Sequence, residues 1–180
     1  MQIDPAIALL LRAGGAALFA SAALHKLRSF AYFRVALADY RLVPWWASGL
    51  AARSVVAAEL ATAALLASPL ARPLGFAAAA VLLTAYSLAI AVNLLRGRSQ
   101  IDCGCFGPAH RAPLGVSLLA RNAVLGSLAL LGLAPIAERP LVALDALTAA
   151  GGVALLALVY ASANRLLENA PHLRALRGGS

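Results

Sequence analysis

Apolar residues fill five long runs along this chain, and short polar segments separate the runs. Such runs are typical of membrane-spanning helices, because about 20 residues at 1.5 Å each cross the roughly 30 Å hydrocarbon layer of a bilayer. We therefore predict an all-α membrane protein, a bundle of about five transmembrane helices that forms one domain over residues 1–180. The predicted spans are residues 6–24, 50–66, 74–95, 114–133 and 141–163.

A different periodicity marks residues 29–43, between the first two predicted spans. Large apolar side chains recur there at helical spacing, whereas Arg34 and Arg41 fall on the other side of the same helix. The apolar positions are Phe30, Phe33, Leu37 and Tyr40. This pattern predicts an amphipathic helix that lies in the membrane interface and caps the bundle.

Composition supports a membrane location and excludes an ordinary water-soluble domain. Of the 180 residues, 62% are hydrophobic and 12% are charged, and the mean hydropathy is +0.84. The net charge of +8 comes from basic residues in the loops and in a basic tail over residues 164–180. No nucleic-acid-binding pattern accompanies them, so we expect the lipid bilayer as a partner and no nucleic acid.

The two cysteines of the chain, Cys103 and Cys105, lie in one polar segment and are separated by Gly104. A bend at the glycine would bring their Cα atoms within the roughly 6.8 Å that a disulfide allows. Because so small a ring is strained and exchangeable, we predict a redox pair. The residues also permit two unreactive thiols in a turn, or a tetrahedral metal site with His110 and His25. A one-residue gap between cysteines is unusual for zinc, and we predict no metal.

Alternating helix directions gather further polar residues at the end of the bundle that carries the cysteines, called here the cysteine end. His25, Asn93, Arg121 and Asn122 lie near this end, and Glu59 lies roughly 13 Å below it. A carboxyl group in a bilayer is costly unless it is paired, protonated or functional. Arg121 at a similar depth is the predicted ion-pair partner of Glu59, with Asn93 or Asn122 as alternatives. We expect all five residues to support the cysteine pair, although His25 also suits a capping position.

Several of these motifs together resemble the methylamine-utilisation MauE family, within the wider group of DoxX-like membrane proteins. The resemblance rests on His25-Lys26-Leu27, on Leu42-Val43-Pro44 after the amphipathic segment, and on Asp102-Cys103-Gly104-Cys105-Phe106-Gly107 before Arg121-Asn122. It covers roughly residues 6–164. The cysteine motif with its downstream Arg-Asn pair is the more specific part, since DoxX relatives share the first motif.

This resemblance implies a multi-pass accessory protein that works with a thioredoxin-like partner. The implied client is a disulfide-rich protein, the small subunit of methylamine dehydrogenase. The layout also resembles that of vitamin K epoxide reductase, and a quinone cofactor is implied by that distant analogy alone. The chain lacks the additional loop cysteines of that enzyme, so no cofactor is firmly implied.

Two classes of function therefore remain for this sequence, with a thiol–disulfide redox accessory protein as the first hypothesis. The alternative is a non-catalytic membrane scaffold or assembly factor whose cysteines only shape a loop. A small-molecule transporter has little support, because the predicted helices lack the paired interruptions that create a midplane substrate site.

The distribution of cations predicts the orientation in the inner membrane. Twelve of the 15 lysines and arginines fall at the cysteine end or in the tail, and the other three are Arg12, Arg72 and Arg139. The positive-inside rule then places the cysteine end in the cytoplasm. The resemblance implies the opposite side, because disulfides of a periplasmic client persist in the periplasm.

Overall fold

The computed structural model describes residues 2–103 and 114–177, with side chains described as far as residue 162. Within these ranges the chain forms six helices and no strand, which confirms the all-α prediction. The helices are α1 Pro5–Arg28, α2 Phe30–Asp39, α3 Ser48–Ala67, α4 Arg72–Leu95, α5 Val116–Leu131 and α6 Ala143–Arg177. A short 3₁₀ turn, Trp45–Ala47, leads into α3.

Four of the described helices are long and apolar enough to cross a membrane, so the chain is a multi-pass membrane protein. They are α1, α3, α4 and the segment Ala143–Ser162 of α6. Helix α5 is apolar but has 16 residues, about 24 Å of helix, which is shorter than the predicted span at residues 114–133. Helix α6 continues through Arg177, so the basic segment after residue 163 begins as an extension of this helix.

Helices α1 and α4 hold the bundle together, because α1 packs against α3 and α6 while α4 packs against α3 and α5. The backbones of α3 and α4 approach closely at Gly75, where a Cβ atom would lie 2.8 Å from the backbone nitrogen of Leu66. Such close contact requires the smallest side chain. The largest buried apolar cluster comprises Phe19, Ala63, Leu66, Phe76, Ala79, Leu83 and Ala129.

Ion pairs of Arg139 connect the N-terminus to the α5–α6 connection at the end of the bundle opposite the cysteines. Its guanidinium donates to Asp4 Oδ1 at 2.9 Å and to Asp145 Oδ1 at 2.8 Å. Ile3 and Ile136 add a parallel backbone bridge beside it. The hydrogen bonds from Arg139 and from the Ala6 amide lower the pKa of Asp4 below its usual value. Local polar contacts therefore hold the N-terminus and the α5–α6 connection together at this end.

The other two arginines at this opposite end bind helix carbonyl groups. Arg12 donates to the carbonyl oxygens of Leu66 and Ala67 at the end of α3, at 3.2 and 3.0 Å. Arg72 donates to the carbonyl oxygens of Gly132 and Ala134 after α5, at 3.1 Å each. Cations suit these positions because the last carbonyls of a helix lack partners and carry partial negative charge.

Candidate functional site

Helix α2 covers the cysteine end, as the amphipathic pattern predicts. Its Phe33 and Ala36 are buried, and Phe33 packs in a cluster with Ala23 of α1 and with Ala52 and Val56 of α3. The helix ends at Asp39, earlier than the predicted boundary at residue 43. Arg41 then adopts a left-handed backbone conformation with φ of 48°, which a continuing right-handed helix does not allow.

Two tyrosines of α2 fasten the beginning of the cysteine motif. The hydroxyl group of Tyr32 donates a hydrogen bond to Asp102 Oδ2, and that of Tyr40 donates to the backbone carbonyl of Cys103 at 3.4 Å. The amide of Leu114 donates to the carbonyl of Ile101 at 3.1 Å, which joins the two chain segments on either side of residues 104–113. The position of Cys103 is therefore fixed by α2 and by the segment before α5.

Cys103 itself is 8% exposed and belongs to an apolar cluster. Its neighbours in this cluster are Tyr40, Ile90, Leu114 and Leu118. Cys105, Gly104 and His110 lie outside the described residues, and so do the predicted Cys103–Cys105 disulfide and the metal alternative. Among the residues that are described, no group of three or more His, Cys, Asp or Glu side chains could hold a metal ion.

The predicted ion pair between Glu59 and Arg121 is wrong, because Glu59 pairs with Lys26. The Glu59 side chain is 1% exposed, and its Oε1 atom lies 2.6 Å from Lys26 Nζ. The hydroxyl of Tyr86 on α4 donates to the same oxygen at 2.8 Å. Helical side chains tilt toward the N-terminus of their own helix. Since α1 ends and α3 begins at the cysteine end, Lys26 tilts into the bundle while Glu59 tilts toward Lys26.

Arg121 is engaged elsewhere, at the contact between α5 and α6. It lies about 8 Å along α5 from Val116. Its Nη1 donates to the Tyr160 hydroxyl at 3.2 Å, and its guanidinium carbon lies 6.0 Å from the centre of that ring. Arg121 therefore links α5 to α6, while Glu59 pairs with Lys26.

The ammonium group of Lys26 connects the bundle interior to the capping helix. It lies 5.3 Å from the centre of the Phe33 ring of α2 and 6.0 Å from the centre of the Tyr86 ring of α4. Aromatic faces attract cations, most strongly where water is excluded. One buried charge thus contacts residues of α2, α3 and α4, although it belongs to α1.

The remaining predicted support residues occupy separate positions. Asn93 is fully buried, donates to the Ala89 carbonyl at 3.0 Å and accepts from Arg98 at 3.3 Å. Asn122 is buried, and its Nδ2 atom has no hydrogen-bond partner among the described residues. His25 is exposed at the end of α1, where its carbonyl accepts the Ser29 amide at 3.2 Å. Among the described hydrogen bonds, none joins either asparagine to Glu59.

Four residues of this site were not predicted as site residues from the sequence, namely Lys26, Tyr32, Tyr40 and Tyr86. For Lys26 a signal exists, since it continues the buried stripe of Phe19 and Ala23 at helical spacing. A lysine on that stripe needs an anionic partner in the bundle, and Glu59 is the carboxylate deepest in a predicted span. The tyrosines carry no comparable signal, because their partners are distant in the sequence.

Comparison with known proteins shows which family this chain belongs to. A family model described as methylamine utilisation protein MauE matches residues 4–135. The methylamine utilization protein MauE of Paracoccus versutus is 46% identical over 164 residues, 91% of this chain and 88% of the relative. The protein of that name from Paracoccus denitrificans is 41% identical over 91% of this chain and 89% of its own.

A more distant relative of the same name, from Methylophilus methylotrophus, is 35% identical over 93% of this chain and 89% of its own length. No solved structure matches the chain. The family model covers most of the bundle, including α1 to α5 and the cysteine motif, and the relatives align along almost the whole chain. The chain therefore belongs to the MauE family of methylamine utilisation proteins.

Proposed function

We propose that this protein is a thiol–disulfide redox accessory factor of methylamine utilisation, with Cys103 and Cys105 as its exchanging pair. Its direct partner is a thioredoxin-like protein, and the exchange supports maturation of a disulfide-containing client. The small subunit of methylamine dehydrogenase, which the sequence resemblance implies, is the proposed client. Membership of a methylamine utilisation family and the paired cysteines support this proposal.

The proposed reaction is a two-step exchange that conserves atoms and electrons. A thiolate of the partner's dithiol attacks the Cys103–Cys105 disulfide, which forms one mixed disulfide and releases one cysteine of this chain as a thiolate. The partner's second thiolate then attacks the mixed disulfide, so the partner becomes oxidised and this chain gains two electrons as a dithiol. The reverse sequence transfers the two electrons to the partner.

One observation carries the proposal, namely the attachment of the Asp102-Cys103 segment to α2 through Tyr32 and Tyr40. Exchange requires in-line access of a thiolate to a sulfur atom, so a fixed backbone at Cys103, the proposed resolving cysteine, favours its attack on the mixed disulfide in one geometry. The capping helix provides this constraint at the cysteine end, where a partner outside the bilayer would dock.

The alternative function is a non-catalytic scaffold, and the burial of Cys103 favours it. A thiol packed among Tyr40, Ile90 and Leu118 is sheltered from water, as a purely structural cysteine is. Under the redox proposal the same burial protects a resolving cysteine until a partner has bound to the other sulfur. The two functions differ in whether a covalent intermediate forms.

Trapping of a mixed disulfide tests this proposal. In Cys103→Ser or Cys105→Ser, the remaining thiol can attack the disulfide of an oxidised thioredoxin-like partner, as in the reverse sequence, but it has no neighbour to complete the exchange. The mixed disulfide with that partner is therefore expected to accumulate. Non-reducing electrophoresis of cells quenched with acid, followed by mass spectrometry of the adduct, measures it. The Cys103→Ser/Cys105→Ser double variant is the matched control and should trap nothing.

Absence of an adduct from both single variants, at wild-type protein levels, would favour the scaffold. An adduct from only one variant would identify the sulfur that meets the partner. We expect Cys105 to be that sulfur, because Cys103 is buried.

The proposed location is the inner membrane, with the cysteine end in the cytoplasm. Lys26 and Arg121 no longer count as loop cations, since the bundle binds both. Arg28, Arg34, Arg41, Arg53 and Arg96 remain exposed at the cysteine end. At the opposite end, Arg12, Arg72 and Arg139 are bound to carbonyls or carboxylates. The excess of cations therefore still favours a cytoplasmic cysteine end.

A cysteine introduced at the exposed Gln100 position, in the Cys103→Ser/Cys105→Ser background, reports this orientation. We expect a membrane-impermeant maleimide to label Gln100→Cys only after the cells are permeabilised. A cysteine at the exposed Leu70 position, between α3 and α4, should be labelled in intact cells as the matched control. The reverse pattern would place the cysteine end in the periplasm, where a secreted client acquires its disulfides.

A further inference from the structure

The side chain of Arg34 lies over a glycine at the start of α3, and Arg53 follows that glycine by one helical turn. Gly49 lies in the first turn of α3, and the position of a Cβ atom there is 3.7 Å from Cδ of Arg34. The stem of Arg34, which belongs to α2, therefore packs so close to α3 that a methyl group at residue 49 would just touch it and a longer side chain would displace it. This contact with α3 limits the positions that the Arg34 guanidinium can take.

Arg53 approaches the same place from within α3. Residues four apart share a face of a helix, so Arg53 lies one turn after Gly49 on the surface that Arg34 covers. A helical side chain leans over the turn that precedes it, because Cα–Cβ bonds tilt toward the N-terminus. Arg53 therefore extends toward Gly49 and Arg34, and both arginines are exposed.

The charges of this pair are not balanced by the protein. No described carboxylate forms an ion pair with Arg34 or Arg53, and the described ion pairs involve Lys26 and Arg139. Asp39, the nearest acidic residue along α2, is exposed and forms none of these pairs. Two like charges in close proximity repel each other, so an anion placed between them lowers the energy.

The surroundings of the pair lie at the level of lipid headgroups. Trp45 and Trp46, just before α3, are 80% and 75% exposed, and Leu50 beside Gly49 is 68% exposed. Indole rings concentrate at the membrane interface, and an exposed leucine on a spanning helix faces lipid chains. An anion that binds here therefore lies at the headgroup level, beside the indole rings, with the apolar surface of α3 on its bilayer side.

We propose that Arg34 and Arg53 form a binding site for the phosphate group of an anionic phospholipid, whose acyl chains lie along the exposed face of α3. Guanidinium groups bind phosphate oxygens in bidentate fashion. A zwitterionic lipid is already neutral, because its own cation balances its phosphate. Two guanidinium groups therefore favour a lipid with a net negative charge. The site is independent of the cysteines. It anchors the capping helix to the membrane surface at the start of α3.

The test measures the thermal unfolding midpoint of the purified full chain in detergent micelles. Added dioleoylphosphatidylglycerol is expected to raise the midpoint by about 5 °C, whereas dioleoylphosphatidylcholine should not. The double variant Arg34→Gln/Arg53→Gln should lose this rise and unfold like the wild type without lipid. The matched control Arg28→Gln/Arg41→Gln removes two other exposed arginines and should keep the rise.

A second variant keeps both charges and moves one of them. Gly49→Leu displaces the Arg34 stem and is expected to abolish the rise, while Gly126→Leu, where a Cβ atom meets nothing within 4 Å, should keep it. An undiminished rise in Arg34→Gln/Arg53→Gln, or an equal rise with the zwitterionic lipid, would overturn the proposal. Equal stabilisation by inorganic phosphate would indicate a free anion, and stabilisation by polyglutamate alone would indicate an acidic protein; either result also overturns it.

Discussion

Replacement of Lys26 by methionine is expected to lower the free energy of unfolding by about 3–5 kcal/mol, because it leaves the Glu59 carboxylate buried without its counter-ion. Methionine has nearly the length of the lysine stem, so loss of packing contributes little. The Tyr86 hydroxyl remains as the hydrogen-bond donor to Glu59 Oε1, but it does not neutralise the charge. Thermal or denaturant unfolding of the detergent-solubilised protein measures the effect.

The control for this prediction uses the same helix as Glu59. Arg53→Gln removes an exposed cation of α3, and in detergent without anionic lipid it should change stability by less than about 0.5 kcal/mol. Glu59→Gln added to Lys26→Met removes the orphaned charge and should recover about 1–2 kcal/mol. Equal effects of Lys26→Met and Arg53→Gln would show that Glu59 reaches solvent and that the pair does not stabilise the bundle.

Loss of both thiols is expected to abolish methylamine-dependent growth. In a host whose own MauE protein has been deleted, the Cys103→Ser/Cys105→Ser variant should fail to restore growth on methylamine, while the wild type restores it. A serine hydroxyl cannot form or exchange a disulfide, so each single variant should fail as completely as the double variant. Growth rate and the amount of protein in the membrane fraction are measured together.

The burial of Cys103 requires a control that separates chemistry from folding. A serine at this position places a hydroxyl group in an apolar cluster, at a cost of about 1–3 kcal/mol if it finds no partner. Cys103→Ala keeps the site apolar and should fold, yet it should also fail to support growth. Full growth with Cys103→Ala/Cys105→Ala would exclude the redox function and leave the scaffold.

The structure relates these two predictions through the capping helix. Phe33 of α2 rests on the Lys26 ammonium, and Tyr32 and Tyr40 of the same helix bind the Asp102-Cys103 segment. We therefore expect a disturbance of the buried ion pair to reach the cysteine motif through this one short helix. This connection explains why a charge pair well below the cysteine end belongs to the same site.

Apolar run lengths alone determined most of the fold. The described helices reproduce the spans predicted at residues 6–24, 50–66 and 74–95 within a few residues, because a helix in a bilayer must satisfy its own backbone and span a fixed thickness. The amphipathic period at residues 29–43 likewise predicted α2. The MauE resemblance, carried by short motifs, is confirmed by the family model and by the relatives.

The tertiary structure alone decided which polar groups meet. Counting residues from the predicted span ends suggested Arg121 as the ion-pair partner of Glu59. In the structure, α5 begins at Val116 and Arg121 lies about 8 Å from this start, where it binds Tyr160. Lys26, which the cation count placed among the charges of the cysteine end, tilts back into the bundle because of the direction of α1. Contacts of Tyr32 and Tyr40 with residues some 60 to 70 positions later follow from packing of α2 on the bundle. The hydropathy along the sequence determines which segments enter the membrane. The rotation of each helix about its axis and the residue at which it begins determine which side chains pair.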